Sequence, residues 1–265
     1  DLSIDKVGTG YTLQATSGVL TAADSGAFNI TLGVAAQVLF VQEPTSAVAG
    51  AAISPSVTVE VTDTNGNRRT GDNATQVVMA ILNDAGGGTL GGTLTRTVSS
   101  GLATFNDLSI DKVGTGYTLQ ATSGALTAAD SGAFNITLGV AAQVLFVQQP
   151  TSAVAGATIS PSVTVEVTDT NGNRRTGDSA TQVVMAIQTN PGGGTLGGTL
   201  TRTVSSGLAT FNDLSIDKVG TGYTLQATSG ALTAADSSAF NITVGVAAQV
   251  LFVQEPTSAV AGATI

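Results

Sequence analysis

The sequence predicts an all-β protein made of tandem two-sheet sandwiches, and three observations support this prediction. The stretch DLSIDKVGTGYTLQATSG recurs without change at residues 1–18, 107–124 and 213–230, so each of its residues returns after 106 positions. Apolar and polar residues alternate along short runs, as in SVTVEVT at 56–62, which is the pattern of a half-buried strand. Turn-forming clusters such as DTNGN and SSG separate these runs. No segment has the periodicity of a helix.

The 106-residue period defines the domain organisation. It predicts two complete copies, at 35–140 and 141–246, because a unit of this length can form one ordinary domain. Residues 1–34 are then the C-terminal part of a truncated repeat, and residues 247–265 are the N-terminal part of a further repeat. We therefore expect the chain to be a segment of a longer protein. The complete copies differ at only nine positions, so identity between them marks no functional residue.

Seven strands are predicted in each complete copy. Seven short strands with frequent turns in about 100 residues are typical of a Greek-key sandwich of the immunoglobulin type. Few residues separate the last strand of one copy from the first strand of the next, so an end-to-end array is expected. In the first complete copy the expected strands are Ala36–Gln42, Ser56–Thr62, Thr75–Ile81, Thr93–Ser99, Gly101–Asp107, Gly116–Thr122 and Gly132–Leu138.

A glycine-rich corner precedes the sixth strand and carries a tyrosine into it. In DKVGTGYTL at 111–119 this tyrosine has the position of a tyrosine corner, in which the hydroxyl group bonds to backbone a few residues upstream. Because the chain has no cysteine, apolar packing is expected to take the place of a disulfide. The three tyrosines predicted to hold the fold together are Tyr11, Tyr117 and Tyr223. The large core side chains expected in the first complete copy are Phe40, Phe105, Tyr117 and Phe134.

The composition excludes several classes of function. Cysteine and histidine are absent, which excludes disulfides, thiolate metal sites and catalysis by a histidine base. The formal net charge is -9 at pH 7, whereas nucleic-acid binding requires a basic face. No apolar run approaches the roughly 18 residues of a membrane-spanning helix. We expect no nucleic-acid partner and no membrane insertion of this segment.

The turn VTDTNGNRRTGD at 61–72 raises the question of calcium binding. Asp63, Asn65 and Asn67 alternate like the oxygen ligands of a calcium loop, but the Gly and Glu that an EF-hand loop requires are not at the required places. Asn-Gly between two strands is a strong hairpin signal, which favours a plain turn with solvated arginines beside it. The junction between copies, LGVAAQV at 138–144, has no acid that could bind calcium. The sequence therefore predicts no metal site and no cofactor.

Two short motifs contain the residue types of catalytic sites. Ser109 and Lys112 spell S-x-x-K, but an extended segment places residues three apart on opposite faces. Asp107 and Asp111 form a nearby pair of carboxylates, and a sandwich loop offers no evident cleft between them. An isopeptide bond between Lys112 and Asn135 is disfavoured, because Lys112 belongs to a turn. We predict that the protein is not an enzyme.

Two remaining motifs concern ligands and modification. The run GGGTLGG at 86–92 lacks the Lys and the Ser or Thr of a phosphate loop, so it is predicted to be a flexible connection. Four N-x-T sequons are possible glycosylation sites. The one on the last strand should point outwards, because its neighbours on that strand point into the core; the alternative is a plain solvent-facing asparagine. The sequon asparagines are Asn29, Asn73, Asn135 and Asn241.

Two stretches carry a resemblance to a known family. VTVEVTDTNGN at 57–67 and GLATFNDLSIDKVGTGYTLQA at 101–121 resemble the bacterial immunoglobulin-like repeats of invasin and intimin type surface proteins. The resemblance covers essentially the whole chain. It implies a stalk of stacked sandwiches that projects an adhesive or enzymatic tip from the cell surface, and hence an extracellular location.

Repetition favours a mechanical role over a chemical one. Length grows with every added copy, whereas catalysis and recognition rarely need identical sites in single file. We therefore predict a structural extender or filament segment of a long cell-surface protein. Its partners would be the neighbouring repeats, with lateral self-association into fibres as a further expectation. The alternative is a multivalent adhesin that binds a surface glycan or a host protein through repeated loops.

Overall fold

The structure is a computed structural model that describes residues 1–247, 249–256 and 258–264. Every regular element in these ranges is a β-strand, which confirms the all-β class. They contain no helix that could cross a membrane. The expected start of a further repeat, 247–265, lies partly outside the described residues, and its described stretch 249–256 contains no strand.

The chain forms two compact units. The first comprises residues 1–141 together with 168–173, and the second comprises residues 142–167 and 174–265. The sequence-based boundaries of the copies remain a prediction, because this division assigns a short stretch of the second complete copy to the first unit.

Fifteen strands lie in the first unit. The leading partial copy contributes β1 (Gly8–Tyr11), β2 (Gln14–Ala15), β3 (Ala23–Asp24) and β4 (Phe28–Ile30). The first complete copy contributes β5 (Gln37–Gln42), β6 (Ala47–Val48), β7 (Val57–Thr62), β8 (Gln76–Asn83), β9 (Leu90–Gly91), β10 (Thr95–Thr97), β11 (Leu102–Phe105), β12 (Ser109–Ile110), β13 (Gly114–Thr122), β14 (Ala129–Asp130) and β15 (Phe134–Thr137).

The seven predicted strands are present as β5, β7, β8, β10, β11, β13 and β15. The sequence analysis missed four strands, β6, β9, β12 and β14, each only two residues long. A two-residue strand is too short to show a period of two, so no alternation could have revealed it.

The strands of the first complete copy form two sheets with the strand order of an immunoglobulin-type sandwich. One sheet has the order β5-β7-β11, and the other has the order β10-β8-β13-β15-β6. All neighbours are antiparallel except β6, which runs parallel to β15. Side chains from both sheets share one apolar core, so the sheets pack face to face.

A proline marks the place where the chain changes sheets. β5 belongs to one sheet and β6 to the other, and Pro44 lies between them. Proline has no N–H for a strand ladder, so pairing stops there and the chain is free to cross to the second sheet. This crossing places the start of the copy against β15, its last strand.

The core is formed by the inward-facing residues of β7, β11 and β13. Val57, Val59 and Val61 alternate along β7 and have no exposed surface, as the sequence pattern predicts. Phe105 and Tyr117 are the largest of the fully buried side chains in this copy. The expected core residue Phe40 is instead only partly buried against the edge of the core, because β5 is an outer strand of its sheet.

The second unit repeats this topology. Its two main sheets have the orders β16-β18-β22 and β17-β26-β24-β19-β21. The strands are β16 (Gln143–Gln148), β17 (Ala153–Val154), β18 (Val163–Thr168), β19 (Gln182–Thr189), β20 (Leu196–Gly197), β21 (Thr201–Thr203), β22 (Leu208–Phe211), β23 (Ser215–Ile216), β24 (Gly220–Thr228), β25 (Ala235–Asp236) and β26 (Phe240–Thr243).

The glycine run at 86–92, expected to be a flexible connection, is closely packed. A Cβ atom on Gly86 would lie 2.2 Å from the carbonyl oxygen of Val113 and 2.5 Å from the hydroxyl oxygen of Tyr117. A Cβ atom on Gly88 would lie 2.8 Å from the same hydroxyl. These glycines therefore allow backbone to approach the tyrosine, and the expectation of a loose linker was wrong.

The tyrosine corner has the expected hydrogen bond. The Tyr117 hydroxyl donates to the carbonyl oxygen of Lys112 at 3.0 Å, and Tyr223 donates to Lys218 at 2.9 Å. Burial, reinforced by nearby carboxylates, raises the pKa of Tyr117, so its hydroxyl stays protonated and available as a donor. The bond ties the glycine-rich corner to the start of β13.

Substitution of Tyr117 by Phe tests whether this bond holds the fold. We expect the free energy of unfolding to fall by about 1 kcal/mol, because the Lys112 carbonyl loses its donor. The matched control is Tyr11→Phe, because the Tyr11 hydroxyl makes the same bond, to the carbonyl oxygen of Lys6, but its side chain is only partly buried. Urea denaturation followed by circular dichroism measures both, and an equal effect at the two positions would contradict a core role for Tyr117.

Candidate functional site

The turn DTNGN is organised around a buried carboxylate. We call residues 63–67, and their equivalents 169–173, the aspartate turn. Asp63 is 3% exposed, and its Oδ1 accepts hydrogen bonds from the backbone nitrogens of Asn65 at 3.0 Å and Asn67 at 2.9 Å. The Asn67 side-chain amide also donates to both carboxylate oxygens, at 3.1 and 3.0 Å. Gly66 has a φ of 74°, which few residues other than glycine adopt readily.

The aspartate turn also binds the copy that precedes it. Asn67 Nδ2 donates to the carbonyl oxygen of Asp5 at 2.8 Å, and the backbone nitrogen of Val7 donates to Asn67 Oδ1 at 3.4 Å. One side-chain amide therefore pairs with both a backbone acceptor and a backbone donor, as a neighbouring strand would. We call this set of contacts between an aspartate turn and the preceding copy the joint.

The carboxylate itself takes part in the joint. The backbone nitrogen of Gly33 donates to Asp63 Oδ2 at 3.2 Å. A Cβ atom on Gly33 would lie 3.1 Å from Asp63 Cβ, so glycine permits this close approach. Arg69 donates from Nη1 to the carbonyl oxygen of Gly33. The connecting backbone of the preceding copy is thus held on both sides.

The same joint recurs with the second aspartate turn, whose residues 169–173 belong to the first unit. Asn173 Nδ2 donates to the carbonyl oxygen of Asp111 at 2.8 Å, and the Val113 nitrogen donates to Asn173 Oδ1 at 3.4 Å. The Gly139 nitrogen donates to Asp169 Oδ2 at 3.2 Å. The repetition of these distances shows that the joint belongs to the repeat and not to one position in the chain.

The second joint contains two further contacts. Asn171 Nδ2 donates to the carbonyl oxygen of Ala49 at 2.9 Å. Lys112 Nζ donates to the carbonyl oxygen of Asn171 at 2.9 Å. Beside them, Gly50 leaves space for the amide group, since a Cβ atom there would lie 2.5 Å from Asn171 Nδ2.

Hydrogen bonding keeps the central carboxylates charged. The backbone and side-chain N–H groups of Asn67, with smaller contributions from Gly33 and Asn65, lower the pKa of Asp63 from 3.8 to about 2 against an opposing effect of burial. Burial raises the pKa of Asp169, but the hydrogen bonds from Asn173, Gly139 and Asn171 outweigh it and the net shift is downward. Each joint is therefore built on an ionised aspartate.

This geometry changes the interpretation of the turn. The sequence analysis treated it as a calcium candidate or as a plain hairpin turn, but β7 and β8 belong to different sheets, so it does not form a two-strand hairpin. The arginines beside it are not simply solvated: Arg68 Nε lies 2.6 Å from Glu60 Oε2, and Arg69 bonds to Gly33. The junction at 138–144 has no acid of its own, yet the carboxylate of Asp169 reaches it from a distant turn.

The two carboxylates considered for catalysis, Asp107 and Asp111, have different hydrogen-bond partners. Asp107 accepts from the Thr93 hydroxyl at 2.7 Å and pairs with Arg96 at 2.9 Å. Asp111 Oδ1 accepts from the Thr89 nitrogen at 2.6 Å. Both carboxylates therefore fasten backbone loops.

The proposed partners of an isopeptide bond are engaged elsewhere. Lys112 Nζ donates to the carbonyl oxygen of Asn171, while Asn135 Oδ1 accepts from the Gly116 nitrogen at 3.0 Å. Ser109, the other member of the S-x-x-K motif, lies on β12. Among the described residues, the Lys112 side chain makes no hydrogen bond to Ser109 or Asn135.

The sequon asparagines are exposed and have structural roles. Each asparagine of the NIT sequons accepts a hydrogen bond from the glycine of the bulge in the adjacent strand, at 2.9–3.0 Å. Asn73 Oδ1 accepts from the nitrogen of Ser100, whose φ is 50°. The glycosylation of these positions stays a prediction. The three asparagines that bond to bulge glycines are Asn29, Asn135 and Asn241.

Comparisons with known proteins identify no family. No protein-family model and no curated protein matches the sequence. Among solved structures, a glycosyl hydrolase family 2 member from Bacteroides cellulosilyticus is similar at 16% identity and a TM-score of 0.32, over 72% of this chain and 23% of that one. Domains 4–9 of the surface layer protein SbsC are similar at 19% identity and a TM-score of 0.29, over 89% and 35%. The Yersinia pseudotuberculosis adhesin InvE is similar at 15% identity and 0.32, over 78% and 59%.

These likenesses carry no argument about what this chain does. The chain spans about a quarter of the hydrolase and only part of the other proteins. The immunoglobulin-type assignment therefore relies on the strand order of the chain itself. The invasin or intimin type stays a resemblance in sequence.

The acid dependence of stability tests the carboxylate of the joint. Because the folded pKa of Asp63 is about 2 and its ordinary value is 3.8, its contribution is fully present above about pH 4 and is lost as the pH falls through about 2. We expect Asp63→Asn to be less stable than the wild type at neutral pH and to lose less stability across this acid window. Urea midpoints measured at a series of pH values report the effect.

The control for this experiment is Asp5→Asn. Only the main-chain carbonyl of Asp5 takes part in the joint, so this variant removes one negative charge without removing a joint bond. It should follow the pH profile of the wild type. If both variants flatten the profile equally, general charge repulsion and not the joint explains the acid sensitivity.

Proposed function

We propose that this chain is a structural segment of a long extracellular or cell-surface protein, in which immunoglobulin-like copies are laid in line as an extender or filament. The observation that carries the proposal is the joint, which recurs with the same atoms at the same distances. In the joint, side chains of one copy contact the copy beside it. Such nearest-neighbour contacts are suited to holding successive copies of an array in a fixed orientation.

The connection between copies supports this role. Val34, in the connection between copies, is 81% exposed, so its side chain contributes little packing. A short exposed connection alone would permit bending. The aspartate turn compensates by holding Gly33, Asp5 and Val7 through main-chain hydrogen bonds. We propose that the joint restricts bending between neighbouring copies, and that the function of the array is to provide stiffness and length.

No catalytic role is proposed. The carboxylates and the lysine that could serve chemistry are engaged in loops and in the joint. The cell-surface location follows from the resemblance to invasin and intimin type repeats. Lateral association of such segments into fibres is a further part of the proposal.

The second candidate is a multivalent adhesin that binds a glycan or a host protein through repeated loops. Binding of sugars commonly uses exposed aromatic rings. Within residues 35–246, which are all described, six of the eight aromatic side chains are buried and two, Phe40 and Phe146, are partly buried; the six are Phe105, Tyr117, Phe134, Phe211, Tyr223 and Phe240. This distribution favours the structural role. Binding of one isolated copy to a glycan array would instead favour the adhesin.

Removal of the joint amides tests the proposed stiffness. The double variant Asn67→Ala/Asn173→Ala should lose about 1 kcal/mol at each joint and sample a broader range of shapes, while the sandwiches stay folded. Small-angle X-ray scattering measures the distribution of dimensions, and circular dichroism verifies folding.

The matched control is Asn73→Ser, a change that the second copy already carries as Ser179. It should scatter like the wild type. The proposal of a stiff array is wrong if the wild type is already as flexible as the double variant.

A further inference from the structure

The larger sheet of the first complete copy has an outward side that carries almost no charge. Along β8, Val77 and Met79 point into the core and the residues on either side of them are exposed. Residues that lie opposite each other on neighbouring strands share a side of the sheet, so the pairing register extends this outward side over β10 and β13. We call its central residues the neutral face; they are Val78, Ala80, Thr95, Thr118, Gln120 and Thr122.

The charged side chains of this copy lie around the neutral face and not on it. The first complete copy has twelve charged residues, eight acidic and four basic. Within residues 35–140, which are all described, Asp130 alone points outward from this sheet, at its margin, where it accepts a hydrogen bond from Gln120 Nε2 at 2.8 Å. The others belong to connections, to β7 of the other sheet or, like Arg96, to the side of β10 that faces the core.

The second complete copy has an equivalent neutral face. Its residues 184, 186, 201, 224, 226 and 228 are of the same types, and their strands have the same burial patterns. Asp236 again lies at the margin, where it accepts from Gln226 at 2.9 Å. The copies differ near this face at Leu82 against Gln188 and at Asn83 against Thr189, and all of these side chains are uncharged.

We propose that the neutral face is a self-association surface, to which a second copy of this chain binds side by side. The inference rests on the lateral association included in the proposed function and identifies its contact surface. It does not depend on the joint, which connects successive copies within one chain.

The chemistry of the neutral face suits contact with itself. In a two-fold contact each residue meets the same surface of the partner. Thr and Gln side chains both donate and accept hydrogen bonds, so such a face can pair with an identical one. A charge near the two-fold axis would meet its own copy, and protein interfaces are accordingly depleted of charge at their centres. The neutral face meets both requirements.

The rest of the surface disfavours contact between chains. The chain has a formal net charge of -9, so its acidic surfaces repel one another. The outward side of the smaller sheet carries the ion pair of Glu60 and Arg68, and Glu60 lies opposite a residue on each neighbouring strand, at the centre of that sheet. Contact through the smaller sheet would place this ion pair against itself. The neutral face is therefore the sheet surface at which a second chain meets least repulsion.

The size of the face predicts weak association of a single pair of copies. β8, β10, β13 and β15 together contain 24 residues. Each residue covers about 16 Å² of a sheet, so the four strands present roughly 400 Å². Two such faces would bury about 800 Å², less than the roughly 1,200 Å² of a stable complex. Strong association then requires several copies along each chain, as a tandem array provides.

Sedimentation equilibrium of the full, unglycosylated chain tests the proposal. At millimolar concentration the wild type should form reversible dimers or larger species. Association should increase in high salt, because salt screens the repulsion between acidic chains and the neutral face has no attractive charges to screen.

A pair of lysine variants locates the contact. Ala80→Lys/Ala186→Lys adds a charge to the exposed centre of each neutral face, and self-association should become at least about tenfold weaker because like charges then meet. The matched control, Thr104→Lys/Thr210→Lys, adds the same two charges to exposed positions of the smaller sheets. Both variants change the net charge from -9 to -7, so only the position differs. The control should associate at least as strongly as the wild type.

Chemical crosslinking gives a second, independent measurement. The chain has no cysteine, so one introduced thiol reports one position. A short bis-maleimide should link two Ala80→Cys chains several-fold faster than two Thr104→Cys chains. Circular dichroism verifies that every variant is folded.

Two results would overturn the proposal. One is a wild type that stays monomeric at millimolar concentration in high salt, which would also remove lateral association from the proposed function. The other is equal association of the two lysine variants together with equal crosslinking at positions 80 and 104, which would leave lateral association standing but assign it to another surface. Neither result bears on the stiffness of the array, which the scattering of the Asn67→Ala/Asn173→Ala variant measures separately.

Discussion

The buried charge of Asp63 is the constraint on which the connection between copies depends. A carboxylate removed from water must be satisfied by hydrogen bonds, because its charged form is otherwise disfavoured. Three of its donors come from its own turn, namely two backbone nitrogens and the amide of Asn67, and a fourth comes from Gly33 in the preceding copy. The preceding copy therefore supplies one of the hydrogen bonds that this charge requires. This links the folding of the turn to the association of two copies.

The fold could be predicted from the sequence wherever the signal was periodic or local. β7 shows three valines at alternate positions, and the seven longer strands followed from such runs. The hydrogen bond of Tyr117 was expected from the single motif DKVGTGYTL. The two-residue strands have no period, and β6 depends on parallel pairing with β15, nearly 90 residues away in sequence. The packing of Gly86 against Tyr117 is likewise a contact across two strands, so the glycine run gave a misleading signal of flexibility.

The joint lay beyond sequence reasoning for the same reason. The motif DTNGN reports the turn correctly, since Asp, Asn and Gly each have a local role in it. These five residues do not indicate that the turn forms hydrogen bonds to Asp5 and Val7, about sixty residues earlier in the chain. The burial of Asp63 was the missing observation, because an aspartate buried in a surface turn must have partners beyond the turn.

In the joint, the aspartate turn contacts the preceding copy almost entirely at main-chain atoms. The groups contacted by Asn67, Asp63 and Asn171 are the carbonyl oxygens of Asp5 and Ala49 and the nitrogens of Val7 and Gly33. Peptide groups are common to all residues, so most side chains at the non-glycine positions, with Lys112 as an exception, can change without disturbing these contacts. Any copy can then follow any other. A gene encoding such repeats can gain or lose copies by unequal recombination, and every remaining junction keeps compatible surfaces.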